Sequence, residues 1–137
     1  MSDILLLEDD HSIAHVIMAA LQAENWSVDH CVTIKQRDAA LATRPYTLTL
    51  TDVVLEDGDG IDSLAHVQAV APDMPVIVLS AQNTLDTAVR AADAFAFEYF
   101  PKPFDLDELV RAVSSAIGNA AQKAGPGEGD AFDSAMP

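Results

Sequence analysis

Short apolar stretches alternate with longer segments of mixed polarity along the whole chain. Most of these stretches are rich in Leu, Ile, Val or Thr and are bounded by polar or turn-forming residues, which is typical of strands buried on both faces of a sheet. The predicted strands comprise residues 3–7, 27–31, 46–52, 76–80 and 97–100.

The segments between these strands carry apolar residues at helical spacing. In the first of them, Ile13, Val16, Ile17 and Leu21 recur on one face, as in an amphipathic helix. Helices are predicted from residue 12 to about 24 and over residues 33–43, 61–71, 84–92 and 105–117. Alternation of this kind predicts an α/β fold, a doubly wound parallel sheet of five strands with five helices.

Composition favours one water-soluble domain. The chain has 137 residues, 50% of them hydrophobic, and its mean hydropathy is +0.15. No apolar run approaches the ~18 residues that a membrane span needs, and the segment from Met1 to Asp3 lacks the basic start of a signal peptide. Cys31 is the single cysteine, so no internal disulfide is expected and a cytoplasmic location fits.

The chain is strongly acidic. Seven Lys and Arg residues against 22 Asp and Glu residues give a formal net charge of -15. Such a surface repels phosphate backbones, so we expect no direct nucleic-acid contact by this domain and favour cations or basic proteins as partners.

Polar residues follow most of the predicted strands at their carboxyl ends. Glu8 and Asp9 follow the first strand, Asp52 ends the third, Ser80 ends the fourth and Lys102 follows the fifth. Because parallel strands bring their carboxyl ends to one edge of the sheet, these side chains are expected to converge there.

Crowded carboxylates repel one another unless a cation lies between them. Mg²⁺ is suited to such a site, because it takes carboxylate, water and phosphate oxygens as ligands. With a phosphoryl donor bound, Asp52 is the predicted nucleophile toward phosphorus, and Lys102 and Ser80 are predicted to contact the phosphoryl oxygens.

Four separated motifs resemble the receiver domain of two-component response regulators. They are Leu6–Asp10, Asp52 with Asp59-Gly60 after it, Ser80-Ala81, and Tyr99–Phe104. The resemblance implies a flavodoxin-like sheet of order 2-1-3-4-5. It also implies a receiver domain over residues 1–120 and a flexible linker over residues 121–137 that leads to an output domain.

The resemblance assigns a role to each site residue. It implies Mg²⁺ bound by Asp9, Asp52 and the main-chain carbonyl of Val54, with Glu8 acting through a water. It also implies phosphorylation of Asp52 by a sensor histidine kinase, with catalysis limited to the domain's own phosphotransfer and autodephosphorylation; Lys102 contacts the phosphoryl group.

Ser80 and Tyr99 are the implied switch pair, which changes the face formed by the fourth helix, fifth strand and fifth helix. The Lys102–Pro103 peptide bond is expected to be cis, as is usual in the family.

Residues 78–84 and 97–106 resemble the nitrogen-regulation (NtrC-type) σ54-dependent activators in particular. In these activators an AAA+ ATPase and a DNA-binding domain follow the receiver, so we expect this chain to be part of a longer transcription regulator, with a homodimer as a further expectation. Two residues depart from the family pattern. Glu56 stands where many members have proline, and Phe95 where glycine usually ends the fourth helix.

Two other interpretations fit part of the pattern. An autonomous Mg²⁺-dependent phosphatase or Toprim-like enzyme shares an acidic strand end, and a degenerate receiver could serve only as a protein-binding scaffold. Asp57 and Asp59 are predicted to be turn residues. His11 and His15 have the spacing of a metal pair but no third ligand, and are expected to be exposed.

Overall fold

The structure is a computed structural model that describes residues 3–82 and 84–124. Its main strands are β1 (Asp3–Leu7), β2 (Ser27–Cys31), β3 (Leu48–Asp52), β4 (Val76–Ser80) and β5 (Glu98–Pro101). Its helices are α1 (His11–Gln22), α2 (Ile34–Thr43), α3 (Leu64–Val70), α4 (Leu85–Asp93) and α5 (Leu106–Ala124).

The five main strands form one parallel sheet of order β2-β1-β3-β4-β5. This confirms the predicted doubly wound fold and the order 2-1-3-4-5. Helices cover both faces of the three central strands, and every residue of β3 and β4 is buried. Because all five strands are parallel, their carboxyl ends lie at the same edge of the sheet.

Two apolar cores lie on opposite faces of the sheet. Alternate residues of β1 point to different cores, since Ile4 and Leu6 belong to one cluster, whereas Leu5 and Leu7 belong to the other. The first cluster includes residues of α1 and α5. The second includes residues of α2, α3 and α4. The side chains of one strand thus join both layers of helices to the sheet.

Polar side chains cap the N-termini of several helices. Asp10 caps α1 by accepting from the Ile13 N–H, and Thr33 does the same for α2 from Gln36. Thr84 caps α4 by accepting from the Thr87 N–H, and Asp105 accepts from the N–H of Glu108 at the start of α5. Each bond satisfies an amide that has no partner within its helix.

The sequence did not predict a small antiparallel hairpin that follows Asp52. Val54–Leu55 pairs with Gly58–Asp59, in the segment where Asp57 and Asp59 were predicted to be turn residues. Strands this short contain too few residues to show an alternating pattern.

The fifth helix also extends beyond its predicted end. It continues through Gly118 to Ala124, so residues 121–124, which were predicted to belong to the flexible linker, are helical. Ala, Gln and Lys, which favour helix, follow Gly118 and outweigh the preference of one glycine. Residues 125–137 of the predicted linker lie outside the described residues. Within residues 3–82 and 84–124, no helix is long and apolar enough to cross a membrane.

Candidate functional site

Three carboxylates meet at the carboxyl edge of the sheet. Leu7 pairs with Thr51 in the β1–β3 register, which brings the following residues, Glu8 and Asp52, side by side. Each of Glu8, Asp9 and Asp52 offers an oxygen, and these three oxygens lie within 4.8 Å of one another. Glu8 and Asp52 are buried, whereas Asp9 is exposed.

Lys102 joins the two buried carboxylates. Its Nζ donates to Glu8 Oε1 at 2.7 Å and to Asp52 Oδ2 at 3.1 Å, and its side chain is 12% exposed. The Lys102 N–H donates to the carbonyl of Ser80 at 2.6 Å, so the end of β4 fixes the position of the lysine. Its peptide bond to Pro103 is cis, as expected.

Burial and mutual contacts shift the pKa values of Glu8 and Lys102. Burial raises the pKa of Glu8 to about 7, with a further rise from neighbouring Asp52 and an opposing effect of the hydrogen bond from Lys102. Burial lowers the pKa of Lys102, but its hydrogen bonds to Glu8 and Asp52 outweigh this, so the pKa is raised overall. The lysine is therefore an ammonium group, and a second cation near Glu8 would favour the ionised form of that carboxylate.

Main-chain contacts hold the two buried carboxylates in place. The Asp10 N–H donates to Glu8 Oε2 at 3.2 Å, and the Val53 N–H donates to Asp52 Oδ1 at 2.7 Å. Gly60 packs directly against Asp52, because a Cβ at this position would lie 1.9 Å from the Asp52 carbonyl oxygen. Any side chain at position 60 would push the backbone of Asp52 away.

Ser80 and Tyr99 contact the same residue. The Gln82 N–H donates to Ser80 Oγ at 2.9 Å, and the Tyr99 hydroxyl donates to the Gln82 carbonyl at 2.8 Å. Ser80 is completely buried. The main chain of Gln82 thus links the two residues of the implied switch pair. The sequence did not single out Gln82, because it contributes main-chain atoms that no side-chain pattern reveals.

Hydrogen bonds and an ion pair connect the hairpin after Asp52 to two helices. Asp57 accepts from the N–H groups of Ile34 and Lys35 at the start of α2, at 2.8 and 3.0 Å, and these bonds lower its pKa. Asp59 forms an ion pair with Arg90 of α4 at 2.9 Å. Both aspartates lie in or beside the hairpin, so they do more than the predicted shaping of a turn.

Other predicted residues take simpler positions. Val54, whose carbonyl was expected to bind metal, pairs with Asp59 in the hairpin. His11 and His15 are exposed, and the ring of His11 lies edge-on to that of His30, with 5.7 Å between the centroids. Among the described residues, Glu8, Asp9 and Asp52 are the group of three or more His, Cys, Asp or Glu side chains that could hold a metal.

This sheet order, with an acidic cluster and a lysine at its carboxyl edge, defines the class of the chain. The family model of the response regulator receiver domain matches residues 4–114. The chain belongs to this family, as its sequence motifs indicated.

Its relatives include NtrC-type regulators. The DNA-binding transcriptional regulator NtrC of Azospirillum brasilense is 41% identical over 131 residues, which cover 93% of this chain and 27% of the relative. This chain thus spans about a quarter of that protein's length.

Two solved structures have the same fold. NtrX from Brucella abortus in complex with ADP has a TM-score of 0.84 and 26% identity, over 90% of this chain and 29% of that one. The beryllofluoride-activated NtrC4 receiver domain dimer has a TM-score of 0.84 and 27% identity, over 88% of this chain and 99% of that one. The chain is a receiver domain related to the NtrC-type activators.

Proposed function

We propose that this domain is a phosphorylation-controlled switch in which Asp52 accepts a phosphoryl group from a sensor histidine kinase. The observation that carries the proposal is the contact of Lys102 with both Glu8 and Asp52, beside the exposed Asp9. This arrangement combines a nucleophile, a fixed ammonium group and a set of oxygen ligands within one small site.

The residues present fit Mg²⁺. The three carboxylate oxygens that cluster within 4.8 Å of one another are hard ligands of the kind this ion prefers. Asp9, Asp52 and the carbonyl of Val54 would hold the ion, with Glu8 acting through a water. When bound, Mg²⁺ neutralises the carboxylates and draws phosphoryl oxygens to the site.

In the transfer step, a carboxylate oxygen of Asp52 attacks phosphorus. A new O–P bond forms, and the bond between phosphorus and the imidazole nitrogen of the donor histidine breaks, with its electron pair leaving on nitrogen. Lys102, whose Nζ is 3.1 Å from Asp52 Oδ2, is within reach of the transferred group and offsets its negative charge. The product is an acyl phosphate, and its hydrolysis by the domain itself ends the signal.

The new phosphoryl group competes for the hydroxyl of Ser80. If Ser80 leaves the Gln82 N–H, the contact between Gln82 and Tyr99 is disturbed as well, because both bonds use one residue. The face formed by α4, β5 and α5 would then change between two states.

We assign the output to segments that would follow α5 and the predicted linker. The NtrC relative is a DNA-binding transcriptional regulator, which supports a DNA-binding output that controls transcription. The sequence resemblance is the basis for proposing an AAA+ ATPase and a nitrogen-related role in the cytoplasm. Dimerisation of the receiver through a second copy is consistent with this role.

Incubation with Mg²⁺ and acetyl phosphate tests the proposal. We expect a hydroxylamine-labile mass increase of one phosphoryl group, which Asp52→Asn abolishes and Asp57→Asn retains, since Asp57 lies away from the carboxylate cluster and caps α2. An unlabelled wild-type protein, or labelling that survives Asp52→Asn, would refute the assignment. Multiple turnover on phosphate esters would instead indicate an autonomous enzyme.

A further inference from the structure

Few side chains of helix α4 are buried. Thr87 and Ala91 are its buried residues, whereas the apolar side chains of Leu85 and Val89 are 81% and 48% exposed. Since apolar burial contributes little to holding this helix, individual polar contacts have a large share in fixing its position.

Arg90 provides such a contact. Its Nη2 lies 2.9 Å from Asp59 Oδ1 and 2.9 Å from Asp62 Oδ1. Both carboxylates belong to the segment that connects β3, the strand ending at Asp52, to α3. The guanidinium group therefore joins α4 to the segment that follows Asp52.

Asp59 in turn is joined to the proposed metal site. It pairs with Val54 across the hairpin, and the N–H of the next residue, Gly60, donates to the carbonyl of Val53 at 2.7 Å. A continuous set of contacts thus runs from Asp52 through the hairpin to Arg90, and it includes neither Ser80 nor Tyr99.

We propose that Arg90 is a positioning residue whose ion pairs with Asp59 and Asp62 hold α4 in its resting position and oppose the switch. The inference rests on the proposed function of Asp52. A metal ion held by Asp52 and the Val54 carbonyl, together with a phosphoryl group on Asp52, would displace the hairpin and so change the position of Asp59 relative to Arg90. An ion pair present in only one of two states shifts their populations by its own strength.

The expected strength of the Arg90 ion pairs follows from the exposure of the three side chains. The side chains of Arg90, Asp59 and Asp62 are 31%, 33% and 78% exposed, so solvent screens the pairs as it does other surface salt bridges. Removal of Arg90 should therefore change the balance between resting and activated α4 by about two- to fivefold.

The experiment compares wild type with Arg90→Ala, Arg90→Lys and Asp62→Asn at low salt. We expect Arg90→Ala to accelerate labelling by acetyl phosphate about two- to fivefold. Without phosphorylation, its α4 amide resonances should move toward their phosphorylated positions. Arg90→Lys should restore part of the wild-type behaviour. The effects of Arg90→Ala and Asp62→Asn should be less than additive in the double variant, since both act on one contact.

Two controls separate this contact from general effects of charge. Arg111→Ala removes the same charge from an exposed position on α5 and should leave the labelling rate and the α4 resonances unchanged. In 1 M NaCl, where the Debye length is about 3 Å, the difference between wild type and Arg90→Ala should shrink.

Equal labelling rates and equal α4 resonances in Arg90→Ala and wild type would overturn the inference, as would an equal acceleration by Arg111→Ala. In both cases wild type is still phosphorylated and the proposed function stands. A wild type that accepts no phosphoryl group would refute the proposed function and this inference together.

Discussion

Phe95 adopts a backbone conformation that its size disfavours. Its φ is 63°, in the left-handed region, where a side chain costs roughly 1–2 kcal/mol, and its side chain is 83% exposed. Because little apolar contact would be lost, we predict that Phe95→Gly raises the free energy of unfolding by about 0.5–1 kcal/mol, after the entropy of glycine is subtracted. The midpoint of urea denaturation measures this change.

Asn25 is the matched control, because its φ is 67° and asparagine tolerates this region better than phenylalanine. Asn25→Gly should therefore stabilise the domain less than Phe95→Gly. If Phe95→Gly is neutral or destabilising, the exposed ring contributes more to stability than its surroundings indicate.

At the scale of single residues, the sequence predicted the side chains of the site better than their connections. The carboxylates, Ser80 and Lys102 could be located, because strand ends at one sheet edge bring them together. The ion pair between Arg90 and Asp59 could not, because it joins surface residues of separate elements whose relative position only the folded chain defines. The main-chain contacts of Gln82 could not be predicted either, because they do not depend on its side chain.

Among the secondary-structure elements, α2 depends on a carboxylate outside it. Asp57 accepts from two N–H groups of its first turn, where the helix dipole also favours negative charge. We predict that Asp57→Ala lowers the urea midpoint and speeds hydrogen exchange of the Ile34 and Lys35 amides. The neighbouring exposed residue provides the control, and Glu56→Ala should leave both quantities nearly unchanged.

This contribution of Asp57 should depend on pH. The pKa of Asp57 is lowered in the folded state, so its stabilisation is fully present above the unfolded pKa of about 3.9 and is lost as the pH falls through the folded value. The difference in midpoint between wild type and Asp57→Ala should therefore be constant near neutral pH and decline below about pH 4. A difference that persists at lower pH would show that the carboxylate charge is not its source.

Helix α5 contains a glycine that its packing does not require. A Cβ on Gly118 would meet no atom within 4 Å, so Gly118→Ala should stabilise the domain by about 0.5–1 kcal/mol through helix propensity. Thermal unfolding followed by circular dichroism measures the gain. Gly60→Ala should have the opposite effect, because its Cβ would collide with the Asp52 carbonyl, and a loss on Gly118→Ala would argue against the helix continuing here.

Element types could be predicted from the sequence, but several boundaries could not. The run Val76–Leu79 is apolar throughout, so both the strand and its burial could be predicted from it. The third helix begins at Leu64 rather than near Ile61, because Asp59 accepts from the N–H groups of Ile61 and Asp62 and organises a turn first. Local hydrogen bonds of this kind determine where an element starts.

For the molecule as a whole, repulsion among its acidic groups is a general destabilising force. With a net charge of -15, screening by salt should favour the folded state. We predict that NaCl raises the thermal unfolding temperature at neutral pH, and that MgCl₂ at equal ionic strength raises it further. Specific binding of a ligand at 100 times its Kd increases the free energy of unfolding by about 2.7 kcal/mol.

Asp9→Ala separates the two effects. Asp9 is the exposed member of the carboxylate cluster, so its removal should abolish the additional stabilisation by MgCl₂ and leave the response to NaCl. If the excess survives this substitution, Mg²⁺ acts at the general surface and not at the site.

The hydrogen bonds that Gln82 makes to Ser80 and Tyr99 have a consequence for the evolution of this surface. Both use peptide atoms, so almost any side chain at position 82 preserves them, and proline alone removes the N–H donor. Related chains can therefore diverge at this position, and acquire different partners through it, while the link between the two switch residues is inherited unchanged.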